Sequence, residues 1–481
     1  MTQAAASTPL DVFIGKNRRA TAEAMDVRSP FDGRVVGRTW RCTEADAEAA
    51  IAAAVDAAPG MRALSSGERA AILRRAAERL EIDREMFART ICDEAGKPIR
   101  DARGEVGRAV LTLRTASEEA TRMGGEVMPL DVLEATRGQW AMIRRVPLGP
   151  IGAISPFNFP LNLVCHKLAP AIAAGNTVVL KPASSTPLTA LRLAALLHDC
   201  GLPAGALSVL PCSPSVGERL VTDPRLKMLT FTGSPSVGWR LKGMAGQKRV
   251  TLELGGNAGV VVHRDANVGY AAQRCAVGGF AFAGQSCISV QRIFVHEDVY
   301  PQFVNDFVAR VKALRVGDPS EETTDVGPMI DEGAAQRAES WIQEALADGA
   351  TLLAGGARSG ACLQPTVLTG TQPSMKVNCQ EVFAPLVTVT PYTDVDEALR
   401  MVDDSQYGLQ AGIFTRDLKL VFDAYERLDV GGVVVNEISA HRVDPMPYGG
   451  TKGSGLGREG VRWAMHEMSE EKLLLYNPNG L

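Results

Sequence analysis

IGAIS (151–155), TVVLKP (177–182), ALSVL (206–210), KMLTFTG (227–233) and GVVVH (259–263) are five short apolar runs, separated by stretches with helical periodicity such as PLTALRLAALLHDCGLP (187–203). Runs this short suit strands buried on both faces, and they are too short for helices. Their alternation with helical stretches implies a parallel sheet, because each strand must return to the same end through a crossover. A second alternating region spans roughly Cys275 to Val435, with FVNDFVARVKAL (303–314), AAQRAESWIQEALADGA (334–350) and DEALRMVDD (396–404) as its helices. The first hundred residues read as helical. Thr43 and Ser65 precede Ala/Leu/Glu/Arg-rich runs as N-caps, Asp46 and Glu68 complete capping boxes, and Gly96 and Pro98 end the last helix. Two segments fit neither layer: 131–146 alternates like an extended hairpin, and 471–481 holds an LLLY strand. Each reads equally as an arm reaching a partner subunit or as a surface hairpin and frayed end.

The expected fold is therefore α/β, with two doubly wound parallel-sheet domains and a small β oligomerisation arm. Residues 1–130 and 147–252 form a dinucleotide-binding domain to which 441–470 return, 253–440 form a catalytic domain, and 131–146 with 471–481 form the arm. A chain of 481 residues is long enough for two or three domains with buried cores, and 46% apolar with 22% charged residues is ordinary globular composition. A formal charge of −4 offers no long-range attraction to nucleic acid or anionic lipid. The longest uncharged stretch, 146–165, contains Pro147, Pro150, Pro156 and Pro160, too many for a membrane-spanning helix. MTQAAASTPLDVF at the start lacks the basic and apolar regions of a secretory signal, so the cytoplasm is expected. Nine cysteines without a C-x-x-C pair point to reduced thiols rather than a disulfide frame, and no metal site is expected.

Three residues have settings suited to chemistry. Cys287 in FAFAGQSCISVQRI (280–293) follows Gly284, where the chain can turn sharply, and lies near Ser286 and Ser289. A thiolate there is a strong carbonyl nucleophile; the bland alternative is a buried, inert cysteine. In VTLELGGN (250–257) a strand delivers Glu253 just before Gly255 and Gly256, either as a base facing a cleft or as an exposed strand-end charge. In SPFNFPLN (155–162) Asn158 sits between Pro156 and Pro160, either as an amide donor to an oxyanion or as a turn former.

PFNFP, VVLKPAS, FTGSPSVG, LELGGN, GQSC, EVFAP and PYGGTKGSGLGREG occur in this order across nearly the whole chain. Together they resemble the signature segments of the aldehyde dehydrogenase superfamily. The resemblance implies an NAD(P)-dependent oxidoreductase in which Cys287 attacks an aldehyde, Asn158 and the Cys287 backbone N–H stabilise the oxyanion, and Glu253 activates the water that hydrolyses the thioester. It also implies cofactor contacts from Ser155, Pro156, Phe157, Lys181, Ser184, Gly217, Phe231, Gly233, Ser234, Val237, Leu254, Gly255, Glu381 and Phe383. Ala384 departs from the usual glycine of its motif. The glutamate argues for a free acid product, since relatives that pass the acyl group to coenzyme A resemble this chain but usually lack it. A homodimer or homotetramer is implied as well.

FTGSPSVG follows a strand and opens a helix, so its glycines let backbone N–H groups approach a pyrophosphate. Ser184 stands where NAD-preferring relatives often carry a glutamate, so NADP is expected to be accepted, even preferred. The substrate candidates are Phe159, Phe280, His166 and the segment HRVDPMPYGG (441–450) with Arg442; His166 stands where succinate-semialdehyde dehydrogenases resemble each other in having an arginine, so a terminal-carboxylate binder is not evident there. Arg442 with Asp444 resembles the segment in lactaldehyde and non-phosphorylating glyceraldehyde-3-phosphate dehydrogenases, pointing to a small hydroxylated or anionic aldehyde; a structural salt bridge between the two residues is the competing account. Succinate-semialdehyde or broad aliphatic aldehyde oxidation stays open, as do a thiol esterase or acyltransferase and a non-catalytic descendant of the family.

Overall fold

The computed structural model describes residues 8–478, and two large sheets organise them. The first sheet has eight strands in the order Asn17–Arg19, Val12–Ile14, Leu207–Val209, Val178–Lys181, Ile151–Ile154, Met228–Thr232, Arg249–Glu253, Gly455–Leu456. Its five strands from Leu207–Val209 to Arg249–Glu253 are parallel. The second has seven, in the order Thr351–Ala354, Thr366–Thr369, Leu386–Tyr392, Arg292–His296, Gly259–Val262, Gln410–Phe414, Gly432–Val435, antiparallel only at the first pair. Val178–Lys181 and Gly259–Val262 are buried along their whole length, which is why they read as unbroken apolar runs.

The first sheet winds outward in two directions from Ile151–Ile154 and Met228–Thr232, its topological switch point. Loops leaving the carboxyl ends of strands diverge there and open a crevice. Pairing places Ile154 beside both Lys181 and Phe231, and Thr232 beside Glu253. The segments beginning at Ser155, Lys181, Gly233 and Glu253 therefore leave the sheet in one row. From Glu253 the chain runs through Gly255 and Gly256 to Gly259, the start of a central strand of the second sheet. The carboxyl ends of one sheet thus lead directly to the amino ends of the other.

Several sequence expectations need correction. Residues 12–41 hold four strands, Val12–Ile14, Asn17–Arg19, Glu23–Arg28 and Val35–Arg41, and no helix. Glu23–Arg28 and Val35–Arg41 form a hairpin whose exposed face carries Asp26–Arg38 and Glu23–Arg41 ion pairs, so it lacks the apolar alternation that marks a strand. The capping boxes at Thr43 and Ser65 are present. Gly96 does close the helix Arg84–Ala95, with φ +67°, but Pro98 opens another helix, Ile99–Arg122, instead of ending the helical region. Proline's preset φ and missing N–H are tolerated at a helix start.

The 131–146 segment does not form a hairpin by itself. Trp140–Pro147 pairs with Glu126–Pro129, which lies upstream of it, and with Ser469–Tyr476 along its other edge. The last three residues assigned to the arm, like residues 1–7, lie outside the described part. No helix among the described residues is long and apolar enough to cross a membrane.

Candidate active site

The helix Val268–Phe280 ends in a turn where Phe282, Ala283 and Gly284 take φ of +47°, +54° and +67°. Left-handed backbone at non-glycine residues costs about 1–3 kcal/mol each, so something must hold it. Gln285 does: it is fully buried, accepts a hydrogen bond from Ile330 N–H at 2.8 Å and donates to the Phe282 carbonyl at 3.3 Å. Gly284 is required because a Cβ there would lie 2.2 Å from the Ala384 carbonyl oxygen. The turn leaves Cys287 partly exposed while Ile288 and Val290 are buried. Cys287 Sγ lies 2.9 Å from Tyr448 Oη. Burial pushes the Cys287 thiol up to about 12, opposed by that hydrogen bond.

Asn158 Nδ2 donates to the Gln285 carbonyl at 2.9 Å. An amide nitrogen carries two hydrogens, so one anchors the side chain and the other is left for a ligand. Gly256 lies against the Cys287 carbonyl so closely that a Cβ would approach it to 2.0 Å. That contact joins the Glu253 strand to the cysteine loop. Glu253 is 2% exposed and neither carboxyl oxygen has a hydrogen-bond partner. Burial first, and then the nearby Glu459 charge, drive its pKa well above the ordinary carboxylate range. The competing account of Glu253 as an exposed strand-end charge does not fit this burial.

The expected cofactor positions also converge. Glu381 accepts from Gly256 N–H at 2.9 Å, and Asn257 Nδ2 holds its loop through the Asn378 and Gln380 carbonyls at 2.8 and 2.9 Å. Burial raises the Glu381 carboxyl to about 7. Phe157 and Phe383 meet edge to face at 6.0 Å, with Phe383 at φ +52°, which brings PFNFP and EVFAP together. Lys181 lies over Gly217, where a Cβ would come within 2.5 Å of its chain, and burial lowers its pKa. Gly233 packs on the Phe231 ring, and Gly238 on Leu254. Ser234 precedes the helix Pro235–Met244 and makes no side-chain cap bond, while Val237 is exposed on its first turn. Ser155 presents a buried hydroxyl without a partner, beside the partly exposed Pro156. Unpartnered polar groups, glycine-cleared surface and a free helix start fit a dinucleotide laid across the carboxyl ends of the strands. Ser184 is exposed, its Oγ 3.5 Å from the Cys212 carbonyl oxygen.

The substrate side differs from expectation. Arg442 does not pair with Asp444. Its side chain is 5% exposed, meets Glu459 at 3.2 Å and His166 Nε2 at 3.3 Å, and stacks on the Tyr448 ring at 3.7 Å. His166 has no exposed side-chain surface and bonds Asp444 at 2.8 Å, so it acts behind the pocket wall. Phe280 packs against Phe307 in the second core instead of lining the site. Phe159 is partly exposed and pinned by Phe282, edge to face at 6.4 Å, and by Lys97 over its ring at 3.7 Å. Lys97 in turn forms a buried pair with Glu105, whose other oxygen accepts the Leu161 and Asn162 N–H groups at 2.9 and 3.0 Å.

Sequence reading missed Arg108, whose side chain remains 32% exposed near Phe159 while bound to Asp444. It also missed Lys167, which bridges Thr232 at 2.7 Å and Glu459 at 3.3 Å. Tyr448 and Glu459 were inside a quoted motif, so that motif was the available signal; nothing in the pattern around Arg108 marked it.

Residues 17–474 match the profile of the Aldehyde dehydrogenase family. The chain belongs to the aldehyde dehydrogenase family. The dehydrogenase is 45% identical to 3-sulfolactaldehyde dehydrogenase of Priestia megaterium, covering 97% of this chain and 98% of that one. Aldehyde dehydrogenase 21 from Physcomitrella patens, solved with the reaction product succinate, has a TM-score of 0.96 at 45% identity over 98% of this chain and 99% of its own. The glyceraldehyde-3-phosphate dehydrogenase GapN from Methanocaldococcus jannaschii, solved with NADP, has a TM-score of 0.91 at 37% identity over 94% and 99%. The enzyme is thus an NAD(P)-dependent oxidoreductase acting on an aldehyde.

Proposed function

We propose that this dehydrogenase oxidises a small hydroxylated or anionic aldehyde, with the anionic class favoured, to the free acid, with Cys287 as nucleophile, Asn158 as oxyanion donor and Glu253 as base. The observation that carries the catalytic assignment is the 2.9 Å bond from Asn158 Nδ2 to the Gln285 carbonyl, which fixes the amide two residues from Cys287. The thiolate forms a C–S bond to the aldehyde carbon, and the carbonyl electrons move to oxygen. The second Asn158 N–H and the Cys287 backbone N–H donate to that oxyanion, an interaction worth about 10²–10³ in rate per donor. A nicotinamide cofactor, which Lys181, Gly233 and Glu381 would help to hold, would supply the acceptor for the hydride that leaves the carbon. Glu253, as carboxylate, removes a proton from the water that attacks the resulting thioester, and Cys287 departs as thiolate.

The anionic substrate class rests on Arg108, a partly exposed cation beside Phe159. Arg442 and Lys167 are buried and paired with Glu459, whereas Arg108, bound to Asp444 and lying over the Phe159 ring next to Asn158, keeps exposed surface. Arg108 is the cation with exposed surface; Arg442 and His166 support it from behind. Two of the similar proteins are named for, or hold, compounds with an acidic terminus, a sulfonated hydroxyaldehyde and succinate. The test is a rate panel of sulfolactaldehyde, lactaldehyde, succinate semialdehyde, glyceraldehyde 3-phosphate and propanal with each cofactor, using Cys287→Ala as control. Preference for an anionic aldehyde with an inactive control supports the reading, and equal rates with propanal overturn the substrate class.

NADP is read as the favoured cofactor because Ser184 leaves no acidic side chain to repel a 2′-phosphate. Supporting a cytoplasmic site, none of the nine cysteines is paired. A homodimer or homotetramer is supported by the outer strand of the three-stranded arm, Ser469–Tyr476, which exposes Leu473, Leu474 and Leu475.

A further inference from the structure

Tyr448 is 3% exposed, sits among Ile288, Leu409 and Met446, and has its hydroxyl 2.9 Å from Cys287 Sγ. Among the described residues no other hydrogen bond is made by that hydroxyl. A buried phenol must find a partner, and the thiol is the one available. The Arg442 guanidinium lies 3.7 Å from the centre of the Tyr448 ring, held there by Glu459. A cation against the ring face withdraws electron density from the phenol and makes its O–H a better donor. Burial and the nearby Cys287 keep Tyr448 protonated well above the ordinary phenol range, so whenever Cys287 is ionised the tyrosine donates and the sulfur accepts.

We infer that Tyr448 is a further catalytic residue, donating a hydrogen bond to the Cys287 thiolate and thereby stabilising the anion against the burial that disfavours it, with Arg442 as a positioning residue that polarises it. On ionisation the Cys287 proton passes to water, and the Tyr448 O–H bond stays intact. When the C–S bond forms, the sulfur loses its charge and accepts only weakly, so the contact favours thiolate over both thiol and acyl-enzyme. The same preference assists departure of Cys287 when the thioester is hydrolysed. This also gives Arg442 a role that needs no exposed surface, in keeping with its burial. The inference rests on Cys287 being the nucleophile, as proposed above.

The test reads thiol acidity in the cofactor-free enzyme, so it can fail while dehydrogenase activity stands. Iodoacetamide alkylation of Cys287 is followed against pH in wild type and Tyr448→Phe, with Cys287→Ala marking alkylation at other cysteines. Loss of a charge-assisted hydrogen bond is expected to raise the midpoint by about one pH unit and slow alkylation at neutral pH about tenfold. An unchanged midpoint in a variant with the wild-type melting temperature overturns the inference. As a volume-conserving check, fluorotyrosine placed at position 448 carries a more acidic phenol. It should lower the midpoint, and an unmoved or raised midpoint overturns the inference equally. Arg442→Lys, which keeps the charge but not the planar stack, should give a midpoint between those of wild type and Tyr448→Phe.

Discussion

Arg108 grips both carboxylate oxygens of Asp444, Nη2 to Oδ1 at 2.8 Å and Nε to Oδ2 at 3.0 Å, across 336 residues of sequence. Asp444 also accepts from Asn162 Nδ2 at 2.9 Å and bonds His166 at 2.8 Å. Burial opposes its ionisation, but the His166 and Arg108 hydrogen bonds hold it far below the ordinary carboxylate range. The aspartate therefore stays charged and aims the guanidinium, leaving its remaining N–H groups for a ligand.

Arg108→Gln should reduce kcat/KM for anionic aldehydes by about 10- to 100-fold, in line with roughly 1.5–3 kcal/mol for a hydrogen bond to a charged group. Propanal should change by less than about threefold, since it lacks the group that Arg108 meets. Equal losses for the two substrates would show that the residue only supports the fold.

Because Glu253 is raised well above the usual range, it is protonated over part of the pH scale where a surface glutamate is ionised. Thioester hydrolysis needs the carboxylate, so its rate should climb as pH rises through the raised value. Glu253→Gln should remove that climb, slow hydrolysis by about 10²–10⁴, and let acyl-enzyme accumulate, as seen by intact-protein mass spectrometry. Stability runs the other way. The fold favours the protonated form, so this contribution is complete below about pH 4.3, the unfolded value, and is lost as pH rises through the folded one. The melting temperature of Glu253→Gln relative to wild type should accordingly increase with pH.

Ser184→Glu should turn the enzyme toward NAD. A carboxylate opposite a 2′-phosphate repels it, and a repulsion of roughly 1.4 kcal/mol already lowers kcat/KM for NADP about tenfold. Steady-state rates with both cofactors measure the ratio, and an unmoved ratio would place the 2′-phosphate elsewhere.

Leu474→Asp puts a charge on the outer strand of the arm, where Leu474 is 55% exposed and paired only inward with Met142. If that strand meets another subunit, light scattering should give a lower molar mass for the variant at equal concentration. An unchanged mass together with an unchanged melting temperature would make the arm an ordinary surface hairpin.

Cys287, Glu253 and Asn158 stood out as candidates because each sits where backbone geometry is local, and the ordered motifs around them supplied the roles. Glu253 ends a strand before two glycines, Asn158 lies between prolines, and Cys287 follows a glycine that must turn. The strand–helix alternation over 151–263 was readable for a similar reason, since strands buried on both faces leave no polar positions. The hairpin of residues 23–41 was not readable: its cross-strand ion pairs replace apolar alternation, and its partner strand is a property of the fold. Pro98 misled because proline stops a helix from within and starts one from its end, and the local sequence suits both.

By itself, then, the sequence determined the periods of the strands and helices, the glycines that permit close backbone contacts, and the candidates proposed as nucleophile, base and donor. Which charge meets which was decided only in three dimensions. Arg442 stands two residues from Asp444 yet pairs with Glu459, while Asp444 takes Arg108 from a distant helix. A buried ion must be matched wherever packing delivers an opposite charge, because desolvation makes an unpaired one far more costly than an exposed one. The same packing sets Tyr448 on Cys287 and Arg442 on Tyr448, linking residues that no spacing rule connects.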